Sequence, residues 1–287
     1  MLRRLTVALS VAASLCLAEN DALTLSSRIV FDTPIEEFGG LSGLNIGASG
    51  TRAEVLNDRN RIFNVAMQRD AEGTLEKVFV LSSKYLYLYE PENGPDTEGL
   101  AKAPDGGSYV SVEGPTPAVL HYRKGHSWPE HLPPIPRLGI KNNNRGLEAL
   151  AIDPKGRLVT LPEATPRGRD AFPIYRLEND AWHERAALPA EGAFQVVGAD
   201  FGPDGHLYIL ERAVSLLGFR SRIRRLAAPI ETARPETLLE TALNAYDNLE
   251  GIALWRDAQG QTRVLMVSDN NFLSVQRTEF VEFILTE

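Results

Sequence analysis

The sequence predicts an all-β fold, a β-propeller of four-stranded antiparallel blades, and three observations predict it. Five segments can be laid over one another at a period near fifty residues. Each reads as strand, turn, strand, and no stretch sustains the apolar period of a helix. Units of this length with several short strands suit a propeller blade, whereas a β-sandwich has no reason to repeat one motif around the chain.

The chain opens with Arg3 and Arg4, an apolar run from Leu5 to Leu17 broken only by Thr6, Ser10 and Ser14, and then Ala18 ahead of Glu19 and Asn20. This pattern is that of a secretory signal peptide over residues 1–18, which leaves 19–287 as one propeller domain. The run is shorter than the roughly 20 apolar residues a spanning helix needs, and no later segment comes closer. The mature chain is therefore expected to be exported, periplasmic or secreted, with no transmembrane segment. The single cysteine, Cys16, leaves with the leader, so no disulfide or thiolate metal ligand is expected. The formal charge is −8 and becomes more negative once Arg3 and Arg4 are removed. That balance argues against nucleic acid or an anionic membrane as partner.

Next comes a strand over Ser26–Asp32, which alternates as the last strand, Glu279–Leu285, also does. Pairing of the two within one blade would close the ring. The repeated segments then begin GGLSGLNIG at Gly39, DTEGLAKAPDGGSYVSVEG at Asp96, RGLEALAIDPKGRLVTLPEA at Arg145, VVGADFGPDGHLYILERA at Val196 and NLEGIALWRDAQGQTRVLMVSDNN at Asn248. A first key position is held in turn by Ser42, Glu98, Glu148, Val197 and Glu250. A second is held by Asn57 or Asp58, Glu113, Glu163, Glu211 and Asp269. The last four copies carry a turn of the type DPKG or GPDG between the two; the first lacks its fuller form. Between the copies, Arg61–Met67, Lys77–Leu81 and the alternating Tyr85–Tyr89 read as further strands. Five motif-bearing blades are expected, and the long stretch from His121 to Asn144 leaves room for an irregular sixth.

The motifs GGLSGL at Gly39, LNDR at Leu56, DTEGLA at Asp96, NRGLEALA at Asn144, LER at Leu210, DNLEGIA at Asp247, VSDNNF at Val267 and QRT at Gln276 occur in an order and spacing that resemble the phytase-like family, the esterase-like activity of phytase. The resemblance covers Phe38 to the C-terminus. It implies an exported propeller with repeated acids and a proposed phosphoester hydrolysis. Val197 departs from the pattern, standing where three other copies have Glu.

In a propeller the innermost strands line a central channel, so one repeat position becomes a ring about the axis. Glu98, Glu148 and Glu250 would then face one another, and crowded carboxylates require protons or a cation. The oxygen-rich, thiol-free composition selects Ca²⁺ over Zn²⁺, with Glu98, Glu148, Glu250, Asp269 and Asn270 as metal ligands. Glu113, Glu163 and Glu211 are the candidate catalytic acids, one of which would accept a proton from a metal-activated water. Arg59, Arg145, Arg212 and Arg277, each beside a motif, are the candidate donors to an anionic ester.

Other readings of the same residues remain open. A repeated buried Glu also serves simply to accept hydrogen bonds between blades, which would leave a non-catalytic propeller that binds a ligand or protein. The metal could instead serve a lactone or carboxylic ester. His121, His126 and His131 recur at a spacing that fits neither a helix face nor one side of a strand, and they are read as an exposed loop.

Overall fold

The computed structural model describes residues 22–88, 96–114, 117–136 and 146–286. The leader with Cys16 and the candidate Arg145 lie outside these residues. The described chain folds into five four-stranded antiparallel sheets. Blade one is β2 (Leu41–Ile46), β3 (Arg52–Asn57), β4 (Arg61–Arg69) and β5 (Leu75–Tyr85). Blade two is β6 (Thr97–Lys102), β7 (Ser108–Val112), β8 (Ala118–Tyr122) and β9 (Glu130–His131). Blade three comprises β10 (Leu147–Ile152), β11 (Leu158–Pro162), β12 (Ala171–Glu178) and β13 (Ala181–Pro189). Blade four comprises β14 (Gln195–Phe201), β15 (Leu207–Ser215), β16 (Gly218–Leu226) and β17 (Pro235–Glu240). Blade five is β18 (Asn248–Arg256), β19 (Thr262–Asp269) and β20 (Thr278–Leu285), and its outermost strand is β1 (Leu23–Phe31) from the other end of the chain. Strands β1 and β20 pair antiparallel from Leu23↔Leu285 to Phe31↔Thr278, which closes the ring as the alternating termini predicted.

The first strands of successive blades, β2, β6, β10, β14 and β18, contact one another in turn and β18 returns to β2, so they form the inner wall. Among the described residues the stretch after His121 forms no sixth blade: His121 lies in β8 and His131 in β9, the two outer strands of blade two. Nor is His121 a loop residue, for its ring is largely buried between Asp105 and Glu130.

Each inner strand carries an irregularity at one place. The register slips between Leu41 and Gly43, between Thr97 and Leu100, between Leu147 and Ala149, between Val196 and Gly198, and between Leu249 and Gly251. The residue left over is Ser42, Glu98, Glu148, Val197 or Glu250, the first key position of every copy. A bulge re-aims its extra side chain, and here it does so five times at one level of the ring. The following residue is small in every blade: Gly43, Gly99, Ala149, Gly198 and Gly251. A Cβ on Gly198 would stand 2.5 Å from the Glu250 carbonyl oxygen, and one on Gly43 2.6 Å from the Leu100 Cβ. Adjacent inner strands therefore touch backbone to backbone, as a five-blade ring requires.

Beneath them Leu44, Leu100, Leu150, Ala199 and Ile252 narrow the axis to a cavity of about 10 Å³, room for about one water. Gly198→Ala should destabilise the protein by about 1–3 kcal/mol, the usual cost of overpacking. Urea denaturation measures this, and an unchanged midpoint would show that the ring tolerates expansion.

At the far end of each inner hairpin the chain reverses in four residues, Gly47–Gly50, Ala103–Gly106, Asp153–Gly156, Gly202–Gly205 and Asp257–Gly260. The fourth residue is a glycine with φ between +66° and +82° every time, a conformation that side chains resist. The first copy thus keeps the turn geometry even though its sequence lacks Asp-Pro. Apolar clusters then run between blades, such as Leu23, Tyr208, Leu249, Met266 and Val281 between blades four and five.

Candidate functional site

All of the predicted acids and arginines that the structure describes come from the loops and strand ends at one face of the ring, where the inner strands begin. Around the axis, Ser42 and Val197 are neutral. The Ser42 hydroxyl donates to the Thr97 carbonyl at 2.8 Å, tying blade one to blade two, and Val197 is buried in the apolar cluster between blades four and five. The ring of first positions therefore contains three glutamates, Glu98, Glu148 and Glu250.

On the side of blade two the acids have no cation among them from the described residues. Asp96, Glu98 and Glu113 each offer a carboxylate oxygen, and these oxygens lie within 4.8 Å of one another. Glu113 is 8% exposed and its Oε2 has no hydrogen-bond partner. Its approach depends on Gly146, where a Cβ would fall 2.6 Å from the Glu113 Cβ. Burial, reinforced by Asp96 and Glu163, pushes the Glu113 carboxyl up to about 7. Burial, together with Glu148 and Glu250, holds Glu98 well above the ordinary carboxylate range. Burial likewise raises Asp96. Asp58, at the turn after β3, is raised to about 6 by burial against the opposing pull of Arg59, with Asp96 and Glu250 adding to the rise.

The opposite side is served by Arg212. It donates to Glu250 and, at 2.8 Å, to the Asn248 Oδ1, and lies 3.6 Å from Glu163. Burial works against its charge, but Glu250, Glu148, Glu163 and Asp269 outweigh that and its pKa rises. Its Nε is buried with no hydrogen-bond partner. Glu148, between the two halves, is held well above its ordinary value by burial and then by Glu163 and Glu250. Burial and Glu250 raise Asp269 to about 7, although its Oδ1 accepts the Asn271 N–H at 2.6 Å.

The structure thus gathers Glu98, Glu148, Glu250, Asp269, Glu113, Glu163 and Arg212 at one centre and separates the remaining candidates from it. The Asn270 Oδ1 accepts backbone N–H groups of Gly40 and Phe272, at 3.3 and 3.0 Å, and so shapes the loop. Glu211 is fully buried and binds Arg222 and Arg224, with Nε–Oε2 distances of 2.9 and 2.6 Å. Arg59 is exposed and stacks on the Phe272 ring at 3.5 Å, and Arg277 is exposed beside Asp247 and Glu279. Asp96 was not singled out from sequence. The signal was a polar residue two places before a ring glutamate, which recurs as Asn248 before Glu250.

The centre fits a hard divalent cation. Its donors are carboxylate oxygens, the acids of blade two are charged only at a cost, and a buried acceptor is left unused. Next to it stands a guanidinium with an unused buried donor. The pair can receive a ligand that is itself both anionic and metal-binding, an ester phosphate being one.

Residues 36–272 match the family model described as phytase-like, esterase-like activity of phytase. No curated protein matches the chain. Among solved structures it is similar to regucalcin, a calcium-binding protein of Agrobacterium tumefaciens, at 11% identity over 92% of this chain and 96% of that one, with a TM-score of 0.51. It is also similar to the major allergen Mala s 1 of Malassezia sympodialis, at 13% identity over 85% and 77% with a TM-score of 0.50. A gluconolactonase of Xanthomonas campestris aligns at 14% identity over 85% and 72%, with a TM-score of 0.45. At these identities the likeness is one of fold.

Proposed function

The chain belongs to the phytase-like family, and from that premise we propose that it is an exported, calcium-dependent hydrolase of phosphoesters. The observation that carries the reading is that one acid-lined centre holds an orphaned buried acceptor, the Glu113 Oε2, on one side and an orphaned buried donor, the Arg212 Nε, on the other. Asp96, Glu98 and Glu113 would hold the cation, with Glu148 completing the negative charge. When bound, the ion supplies Lewis-acid polarisation of an ester oxygen and lowers the pKa of a coordinated water.

The chain's own residues do the rest. Arg212, kept charged by Glu250 and Glu163, donates to the anionic oxygens of the ester and fixes its orientation. Asp269, raised to about 7, is matched to neutral pH as the proton acceptor for water attack. The apolar plug of Leu44, Leu100, Leu150 and Ile252 stops the channel below, so substrate enters and leaves by the acidic face. Regucalcin, a calcium-binding protein of similar fold, supports the choice of metal.

The test is calcium titration of the purified mature protein, followed by assays with 4-nitrophenyl phosphate and with a sugar lactone. Calcium binding with phosphoester turnover that chelation abolishes is the expected result. Turnover of the lactone alone would move the same centre to a different ester. Neither calcium binding nor turnover would leave the acids a structural role.

A further inference from the structure

The rim of this face is chemically lopsided. The β3–β4 turn presents Asp58, Arg59 and Asn60, and the β11–β12 loop presents Arg167, Arg169 and Asp170. The loops of blades four and five add a run of exposed aliphatic side chains. The β15–β16 hairpin exposes Val214, Leu216 and Leu217 at 54%, 106% and 74% of their surface. Leu243 in the β17–β18 loop, with Leu273 and Val275 in the β19–β20 loop, is exposed too, Val275 at 85%.

These loops are fastened together. The Asn244 Nδ2 donates to the Leu217 carbonyl at 2.6 Å, and its Oδ1 accepts the Phe219 N–H at 3.1 Å, which ties the hairpin to the β17–β18 loop. The Arg277 N–H donates to the Asp247 Oδ2 at 2.9 Å, which ties that loop to the next. The rim is also continuous with the centre. Arg212 lies on β15, the strand that runs up into the hairpin, and pairs with Ser221 across it. At the rise of an extended strand, Leu216 stands roughly 13 Å beyond Arg212. Asp269 forms the base of the third loop.

Exposed apolar side chains gathered beside a polar site mark a surface that is covered in use. Taking the function proposed above as its basis, we propose that the substrate is an amphiphile: a monomeric ester whose anionic head sits at Arg212 and the acids and whose alkyl or acyl chain lies along the apolar rim of blades four and five. The polar rim of blades one and three faces the head.

The experiment measures binding rather than turnover, by calorimetry on the calcium-loaded mature protein, with ethylphosphonate and decylphosphonate below micellar concentration. Decylphosphonate is expected to bind at least about tenfold tighter, since each added methylene that leaves water contributes. The double variant Leu216→Ser, Leu217→Ser should lose that advantage while keeping ethylphosphonate affinity and melting temperature. Equal affinity of the two ligands for the wild type, or an advantage that survives in the variant, would overturn this assignment alone. Binding of neither would overturn it together with the reading of the centre as an ester site. Binding of phosphatidate vesicles without preference for monomeric decylphosphonate would overturn it in favour of a membrane surface.

Discussion

Metal-free protein should lose stability as the pH rises from about 5 to 8, and calcium should reverse the trend. Glu113 and Asp269 are raised to about 7 and Asp58 to about 6, from ordinary values of 4.5 and 3.8. Between those ordinary values and about 7 the folded protein keeps protons that the unfolded chain has released. Stability therefore falls with pH across that window, being full below it and lost as the pH passes the folded values. Glu98 and Glu148, raised in the same direction, add to the loss. Calcium requires the ionised carboxylates, so its stabilisation grows over the same range.

Glu113→Gln separates the two effects. The metal-free variant should melt several degrees above metal-free wild type at pH 8, a shift that about 1–2 kcal/mol produces in a chain of this size. Its calcium affinity should fall by more than about 100-fold, beyond the roughly 10–100-fold that a supporting residue gives up. Differential scanning calorimetry at pH 5.5, 7 and 8, with calcium or chelator, checks both signs. A metal-free melting temperature that rises with pH would show that these carboxylates are solvated in solution and are not a poised site.

Glu211→Ala should be the most damaging single substitution to stability, and it should do nothing specific to calcium. The Glu211 carboxylate accepts from Nε and Nη2 of both Arg222 and Arg224, at distances between 2.6 and 3.1 Å. Those guanidiniums are 4% and 1% exposed, and both also reach the half-exposed Glu191, at 3.2 and 3.1 Å. Removing Glu211 leaves two buried cations with only the half-exposed Glu191 and, for Arg222, Glu240 at 4.0 Å, and breaking such an arrangement costs about 3–5 kcal/mol. Urea denaturation should show this loss, while calcium affinity measured on the folded fraction stays within twofold or so. A drop in calcium affinity with stability intact would return Glu211 to the functional centre.

Sequence and structure divide over this residue for a definable reason. Alignment put Glu211 in register with Glu113 and Glu163, but the ladder is offset by one residue: Val196 pairs with Glu211 where Thr97 pairs with Val112 and Leu147 with Pro162, so Arg212 holds the position of Glu113 and Glu163. Side chains alternate along a strand, so Glu211 turns away from the centre that Arg212 enters. There β16 supplies Arg222 directly across from Glu211. A cross-strand partner lies at a variable distance along the chain, and a repeat read by its own motif does not include it.

The sequence by itself determined the all-β ring, its five repeats, the closure by the two termini and the positions of the ring residues. All of these follow from local patterns: strand alternation, a four-residue turn closed by glycine, and one key residue followed by a small one. The bulge that aims Glu98, Glu148 and Glu250 inward is the structural form of that last pattern. Only the tertiary structure decided which carboxylates find a cation among the described residues. Arg212 neutralises one half of the ring, β16 removes Glu211, and Asp96 enters from the loop before β6. Charge neutralisation acts through space between side chains far apart in sequence, so it is settled by where the blades place their neighbours and not by the motif each blade carries.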